Sequence, residues 1–370
     1  MKDKILIITN LYPLPWQPTR AIFNYQQFGY LEEKADIYYL IPVAFLDWWK
    51  HREQFNKIDK NIKYVPYFYI PKFGRRLYGK LMQWSLSLLA SSWIKSISPT
   101  KILASWAYPD AVAAVAIAKK FNTEFYFKVH GSDINMHAAF PERAKQITAM
   151  ADHAQGILSV SQDLANKMID MGINKNKIHV IYNGVNLEKF KPKPTNTESP
   201  YIVFIGNLKH DKGVIELLNA FILIHQKFPN LQLKYIGNGN MAAKLQDIIN
   251  EHKLNEKVKL EGVKAHDELP DIIAQAKLLT LPSYNEGVPN VVLEAMACAT
   301  PVVVTRVGGI PEVVTEKTGV IATEISADAI AYCLQEAIEK KWDYSAIRTH
   351  AELFSWNKNT NELAAMLALK

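Results

Sequence analysis

Glu286 and Glu294 stand eight positions apart in "YNEGVPNVVLEAMACATPVV" (284–303), with a glycine and a proline between them. "LLTLPS" (278–283) before them reads as a buried strand. The run from Pro289 reads as a helix, with the proline at its first position, where a missing N–H is harmless. Such a start turns free backbone N–H groups toward the turn, an anion site without side-chain charge. Gly287 lets that backbone approach a ligand closely. Carboxylates repel phosphate but accept hydrogen bonds from hydroxyls. Glu294 lies about 7.5 Å along the helix from Pro289. The pattern suits a ligand with a diphosphate between two hydroxyl-rich groups, as in a sugar nucleotide. The plain alternative is a helix start with two solvated acids, and the spacing alone favours it by roughly three to one.

Two further stretches carry chemistry. In "FIGNLKHDKGVIELLNAF" (204–221) a strand ends at Gly206, and Lys212 and Gly213 open a helix. A lysine there can neutralise a phosphate, and the helix dipole disfavours it otherwise. In "YFKVHGSD" (126–133) His130 follows a strand and precedes Gly131. It could donate to a sugar hydroxyl or handle protons, and Asp133 could accept from an acceptor hydroxyl. Taken alone, such a histidine is more often a satisfied structural one.

Positioning these residues needs strand ends facing a cleft. Strands read at 4–12, 36–43, 62–70, 101–107, 124–131, 156–161 and 178–184, then at 201–208, 231–239, 258–263, 278–283 and 301–305. Helices read at 109–121, 213–228, 240–253, 266–276, 289–299 and 326–340. Continuous apolar strands alternating with helices imply parallel sheets covered on both faces. "KFKPKPTNTESP" (189–200) has the composition of a linker. The expected fold is α/β, with two doubly wound Rossmann-like domains, 1–190 and 196–354, facing a cleft. Ligands in such sheets bind at strand carboxyl ends.

Composition is that of a globular protein: 370 residues, 49% hydrophobic and 21% charged. Cys298 and Cys333 lack metal-type spacing and suggest a reducing compartment. "MKDKILIITNLYP" reads as a first strand, not a signal peptide. No run approaches the roughly 18 apolar residues of a spanning helix. Charge is uneven: residues 1–195 hold 26 Lys and Arg against 15 Asp and Glu, and the remainder holds 17 against 21. The basic half suggests an anionic partner or simply a solvated face. No nucleic-acid module is recognised. Residues 50–101 carry eleven basic residues against two acids, interleaved with aromatics. "GRRLYGKLMQWSLSLLASSWIK" (74–95) reads as one helix with a basic start and a broad apolar face. That suits either packing on the sheet or lying on anionic lipid.

The stretch "EGVPNVVLEAMACATPVVVTRVGGIPEVV" resembles the signature of the group 1 glycosyltransferases, family 4 of the retaining enzymes with the GT-B fold. "VIYNGVNLEKFKP" (180–192) is similar to the family's segment closing the first domain. "FIGNLKHDKG", "YIGNGNMAAKL", "VKLEGV" and "VHGSD" also match its segments. "FSW" (354–356) precedes a last helix, within 355–370, that in the family returns to the first domain. The resemblance implies a metal-independent hexosyltransferase acting with retention. It assigns Glu286 to the donor hexose, Glu294 to the ribose and Lys212 to the diphosphate. The backbone of Gly287, Val288, Pro289 and Asn290 would hold the distal phosphate. Gly262 and Val263 would lie near the base, and His130 over the donor sugar. Asn207 stands where the family carries a diphosphate-binding arginine, so Arg20 becomes a candidate replacement, on the acceptor side with Asp133. Ala21 and Ala299 replace common glycines. No Asp-x-Asp metal motif occurs. No cofactor is implied; the nucleotide sugar is the substrate, a UDP-sugar foremost and a GDP-sugar next. Partners would be a glycan or lipid-linked acceptor and an anionic membrane surface. The implied place is cytoplasmic, peripheral on the inner face, in cell-envelope or exopolysaccharide synthesis. A non-catalytic sugar-nucleotide-binding partner and a related sugar-nucleotide epimerase are the rival readings.

Overall fold

The computed structural model describes residues 2–57, 59–68, 77–193 and 200–369. Two compact units form, Met1–Tyr182 with Trp356–Lys370, and Asn183–Ser355. Residues 183–190, expected to close the first domain, thus belong to the second unit.

The first unit holds seven strands: β1 (Lys4–Ile8), β2 (Asp36–Ala44), β3 (Ile62–Tyr67), β4 (Lys101–Ser105), β5 (Glu124–Val129), β6 (Gly156–Ser159) and β7 (Ile178–Val180). They pair in parallel in the order β3-β2-β1-β4-β5-β6-β7. Ile5 to Ile8, Ile102 to Ala104 and Phe127 are fully buried, as central strands covered on both faces require. The order reverses between β1 and β4, and there the carboxyl ends open the crevice in which doubly wound sheets bind ligands.

The second unit repeats the plan with β8 (Tyr201–Ile205), β9 (Gln232–Ile236), β10 (Val258–Leu260), β11 (Leu278–Leu281), β12 (Val302–Thr305) and β13 (Gly319–Ala322). Its parallel order is β10-β9-β8-β11-β12-β13, and the switch point lies between β8 and β11. The sequence reading missed β13, a four-residue edge strand. The C-terminal helix Trp356–Met366 packs in the first unit, where the Trp356 indole donates to Gln26 Oε1 at 3.2 Å.

The helix expected over 74–95 is two helices, Tyr78–Leu89 and Ser91–Ile97, meeting at Ala90. Ser91 Oγ donates to the Ser87 carbonyl at 2.5 Å at that junction, a back-bond that bends helices. Arg75 and Arg76, its expected basic start, lie outside the described residues. Among the described residues no helix is long and apolar enough to cross a membrane.

Candidate active site

Each carboxyl end in the second unit is tied to its neighbour by backbone. Gly206 N–H donates to the Ile236 carbonyl at 3.0 Å, Leu208 N–H to Asn238 at 2.9 Å, and Gly237 N–H to Gly262 at 2.8 Å. Two loops meet at the switch point. Tyr284 N–H donates to the Asp211 carbonyl at 2.9 Å, and its ring stacks on His210 at 5.2 Å. Gly213, at φ 66°, lets the first loop pass under the second: a Cβ would stand 2.0 Å from the Pro282 carbonyl oxygen.

That zipper brings Lys212 to Glu286. Lys212 Nζ lies 2.6 Å from Glu286 Oε1, and Ser283 Oγ donates to the same oxygen at 2.7 Å. Both charged side chains are largely buried. Oε1 is therefore engaged, and Oε2 is left for a ligand hydroxyl. The lysine and the glutamate, which sequence reading assigns to different parts of a donor, form one ion pair.

The helix Asn290–Ala297 follows, with Pro289 just outside it at ψ 125°, one position before the expected one. In its first turn Val292 N–H donates to the Pro289 carbonyl at 3.1 Å, and no acid stands in that turn to take the N–H groups before it. Asn183 braces this end: its Nδ2 donates at 3.0 Å to the Val288 carbonyl and at 3.0 Å to Asn290 Oδ1. One turn on, Glu294 is 6% exposed and hydrogen-bonded to His266 Nε2 at 3.1 Å. Asn207 and Val263 are exposed at the ends of β8 and β10, and Gly262 takes φ 69°. The sequence reading missed Asn183 and His266, whose partners lie on other segments, and Ser283, whose partner Glu286 is three residues on; only the strand-end position of Ser283 signals it.

In the first unit the switch point gathers Thr9, Asn24, Ser105 and His130. Thr9 Oγ1 donates to the Ser105 carbonyl at 2.6 Å. Asn24 Nδ2 donates to Leu11 O at 2.9 Å, so its Oδ1 accepts from Ser105 Oγ at 3.1 Å. The hydroxyl's single hydrogen is thereby used, and Ser105 Oγ accepts from His130 Nε2 at 2.7 Å. His130 Nδ1 is then the lone-pair nitrogen and accepts protons or hydroxyl hydrogens. Burial, then the Lys128 charge, hold His130 well below the usual imidazole range, so the ring is neutral. Trp106, centred 6.0 Å from His130, sits at φ 119°, a strained conformation of the kind that gathers at sites.

Asp133 is fully buried and takes the N–H groups of Ala107 (3.0 Å), His130 (3.0 Å), Gly131 (2.9 Å) and Ile134 (3.2 Å). It holds the turn that carries His130. Arg20, half-buried, donates to Gln17 Oε1 at 3.4 Å and acts electrostatically on Asp110. Asp110 is buried, accepts from Asn10 N–H at 2.8 Å, and leaves Oδ2 unpartnered. Burial lifts its carboxyl to about 8, which fits a protonated acid.

Residues 185–353 match the family model of the glycosyl transferases group 1, and residues 43–189 that of glycosyltransferase family 4. The putative teichuronic acid biosynthesis glycosyltransferase TuaC of Bacillus subtilis is 26% identical over 359 residues, 89% of this chain and 87% of that one. The amylovoran biosynthesis glycosyltransferase AmsK of Erwinia amylovora is 30% identical over 214 residues, 55% and 53% of the two chains. The crystal structure of Anabaena HepE in complex with UDP and glucose superposes with a TM-score of 0.74 at 19% identity, covering both chains entirely. With two consecutive family models spanning residues 43–353 and two parallel Rossmann-like sheets, the chain belongs to the group 1, family 4 glycosyltransferases of the GT-B fold.

Proposed function

We propose that this glycosyltransferase moves a hexose from a nucleoside diphosphate sugar, a UDP-sugar foremost, to a glycan or lipid-linked acceptor of the cell envelope, with retention and without a metal ion. The observation that carries the reading is the Lys212–Glu286 pair beside the start of the helix Asn290–Ala297 at the switch point. Glu286 takes the hexose hydroxyls with its free oxygen. Lys212 and the backbone of Gly287 to Asn290 stabilise the charge that develops on the leaving diphosphate. Glu294 holds the ribose, and Gly262 and Val263 flank the base. Asn207 cannot supply the charge of the family's arginine, so Lys212 carries more of that duty. His130 is assigned to the donor sugar, with Nδ1 accepting from a hydroxyl. Arg20 remains an acceptor-side candidate. Asp133 acts through the His130 turn, because its oxygens are occupied.

The relatives TuaC and AmsK, named for envelope or extracellular polysaccharides, support such an acceptor. So does the first unit's surface. On the helix Tyr78–Leu89, Met82, Ser85 and Leu86 are buried. Trp84 and Leu88 face water, 68% and 67% exposed, in line with Leu77. That helix is apolar on two faces, with Lys80 exposed beside the outer one. Leu46, Trp49 and Phe68 are further exposed apolar residues of the same unit. We assign this face to an anionic membrane surface, which fits a cytoplasmic enzyme working at the inner leaflet.

The test is a thermal-shift screen of UDP-, GDP- and ADP-sugars, since a ligand of the folded state raises its stability. Nucleotide release is then measured with extracted lipid-linked acceptors and a chelator, and the product anomer is read by NMR. Failure of every nucleotide sugar to stabilise the protein would overturn the reading.

A further inference from the structure

Glu294 does not stand alone in its helix. Its Oε1 is 3.1 Å from His266 Nε2, and the other ring nitrogen, Nδ1, is 2.7 Å from Lys189 Nζ. Lys189 also reaches Asp267 Oδ1 at 2.6 Å. An ammonium has hydrogens to give and no lone pair, so Nδ1 can only accept from it. The neutral ring then carries its proton on Nε2 and donates it to Glu294 Oε1. Lys189 thus selects the tautomer of His266, and His266 orients the carboxylate.

The segment beneath this relay is tied down by hydrogen bonds. Asn186 Oδ1 accepts from Lys189 N–H at 2.9 Å and Glu188 N–H at 3.1 Å. The Arg348 guanidinium donates to the carbonyls of Leu187 (3.0 Å), Phe190 (2.6 Å) and Ala297 (2.6 Å). Arg348 therefore fastens the segment carrying Lys189 to the end of the helix carrying Glu294. Phe190 packs edge-on against the His266 ring at 5.4 Å.

We propose that His266, with its tautomer set by Lys189, is a positioning residue for nucleotide ribose: it occupies Glu294 Oε1 and leaves Oε2 as the acceptor for a ribose hydroxyl. The proposal rests on the reading of Glu294 as the ribose ligand. A carboxylate swivelled away from this orientation would still be present but would no longer discriminate a ribose hydroxyl from its absence. A charged hydrogen bond held in place is the kind of contact that changes affinity by about tenfold or more.

The experiment is calorimetric titration of UDP, GDP and ADP, and of the 2′- and 3′-deoxy form of whichever binds best, into wild type, Glu294→Ala, His266→Ala, His266→Gln and Lys189→Met, each checked for unchanged thermal unfolding. The readout is the ratio of ribo to deoxy affinity, which general loosening of the fold would not move. Wild type should favour the ribonucleotide about tenfold, and Glu294→Ala should lose that preference. His266→Ala should lose most of it, Lys189→Met part of it, and His266→Gln, which keeps an N–H donor, should recover it. If Glu294→Ala keeps the preference, or none of the three nucleotides binds, the ribose reading of Glu294 falls and the relay with it. If Glu294→Ala loses the preference while folded His266→Ala retains it, the ribose reading stands and the positioning role of His266 is refuted.

Discussion

Replacing Gly308 by alanine tests the site without touching any polar side chain in it. Gly308 follows β12 at φ 52°, and a Cβ there would stand 1.9 Å from the carbonyl oxygen of Glu286 and 2.9 Å from its carbonyl carbon. The next residue, Gly309, donates its N–H to the Gly287 carbonyl at 2.9 Å, so the two loops are in register where the donor phosphates are proposed to sit. Real Cβ contacts do not fall below 3.0 Å, so the loops must part by roughly 1.1 Å. The obstruction is backbone and has no rotamer to yield. Alanine in the left-handed region adds about 1–2 kcal/mol of strain. A shift of about 1 Å at a positioned group costs on the order of a hundredfold in rate. Gly308→Ala should therefore fold, lose a few degrees of thermal stability and drop about a hundredfold in kcat/KM for nucleotide release. Gly172→Ala is the control: its φ is 91° and nothing lies within 4 Å of the added carbon, so it carries the backbone strain without the collision. A folded Gly308→Ala protein with donor affinity and turnover within twofold of wild type would refute the argument that this crossing sets the position of Glu286.

Glu286→Ala and His130→Ala should each remain folded and lose at least about a hundredfold in turnover; near-normal nucleotide release by either soluble variant would sink its assignment. Asp110→Asn probes the buried acid. Its carboxyl sits at about 8 in the folded chain against 3.8 outside it, so the folded state binds the extra proton between those values and wild-type stability falls as pH rises from about 4 to 8. The variant should gain thermal stability relative to wild type steadily over that window, and parallel melting profiles from pH 5 to pH 8 would contradict it. Trp84→Ser/Leu88→Ser should weaken co-sedimentation with anionic vesicles severalfold at low salt, while added salt weakens wild type through the charges around Lys80. Wild type that ignores anionic vesicles at low salt removes the membrane assignment.

Alternation of strands and helices was legible because the central strands are largely apolar on both faces and most connecting helices are amphipathic. Most of the expected strands ran two to four residues too long at their carboxyl ends, as at 201–208 against Tyr201–Ile205, while those at 36–43 and 301–305 did not. Pairing stops at Ile205 and Ile236, where Gly206-Asn207 and Gly237-Asn238 turn the chain into loops. The junction at Ala90 escaped notice because alanine carries no helix-breaking signal. Glu286, Glu294 and Lys212 stood out as donor-site candidates only when the strand-turn-helix pattern was joined to the family resemblance, since the two-glutamate spacing alone favours solvated acids. Their local partners were not. Ser283 looks like an ordinary strand-end residue, and the Lys212–Glu286 pair joins positions 74 apart.

The segment 183–190 marks where sequence order misleads. It follows the first unit's last strand, and by order alone it closes that unit. Its side chains belong to the other: Asn183 reaches Val288 and Asn290, Lys189 reaches Glu294 through His266, and Arg348 clamps its carbonyls to the end of the same helix. One short segment therefore braces the helix Asn290–Ala297 at its start, its middle and its end. A helix of eight residues is too short to be stable alone, and its N–H groups bind an anion only when their direction is fixed. The polar residues of "NGVNLEKF" make sense on that account. A solvated linker would need no Asn183 aimed at a loop carbonyl, and no lysine held against the Nδ1 of a half-buried histidine.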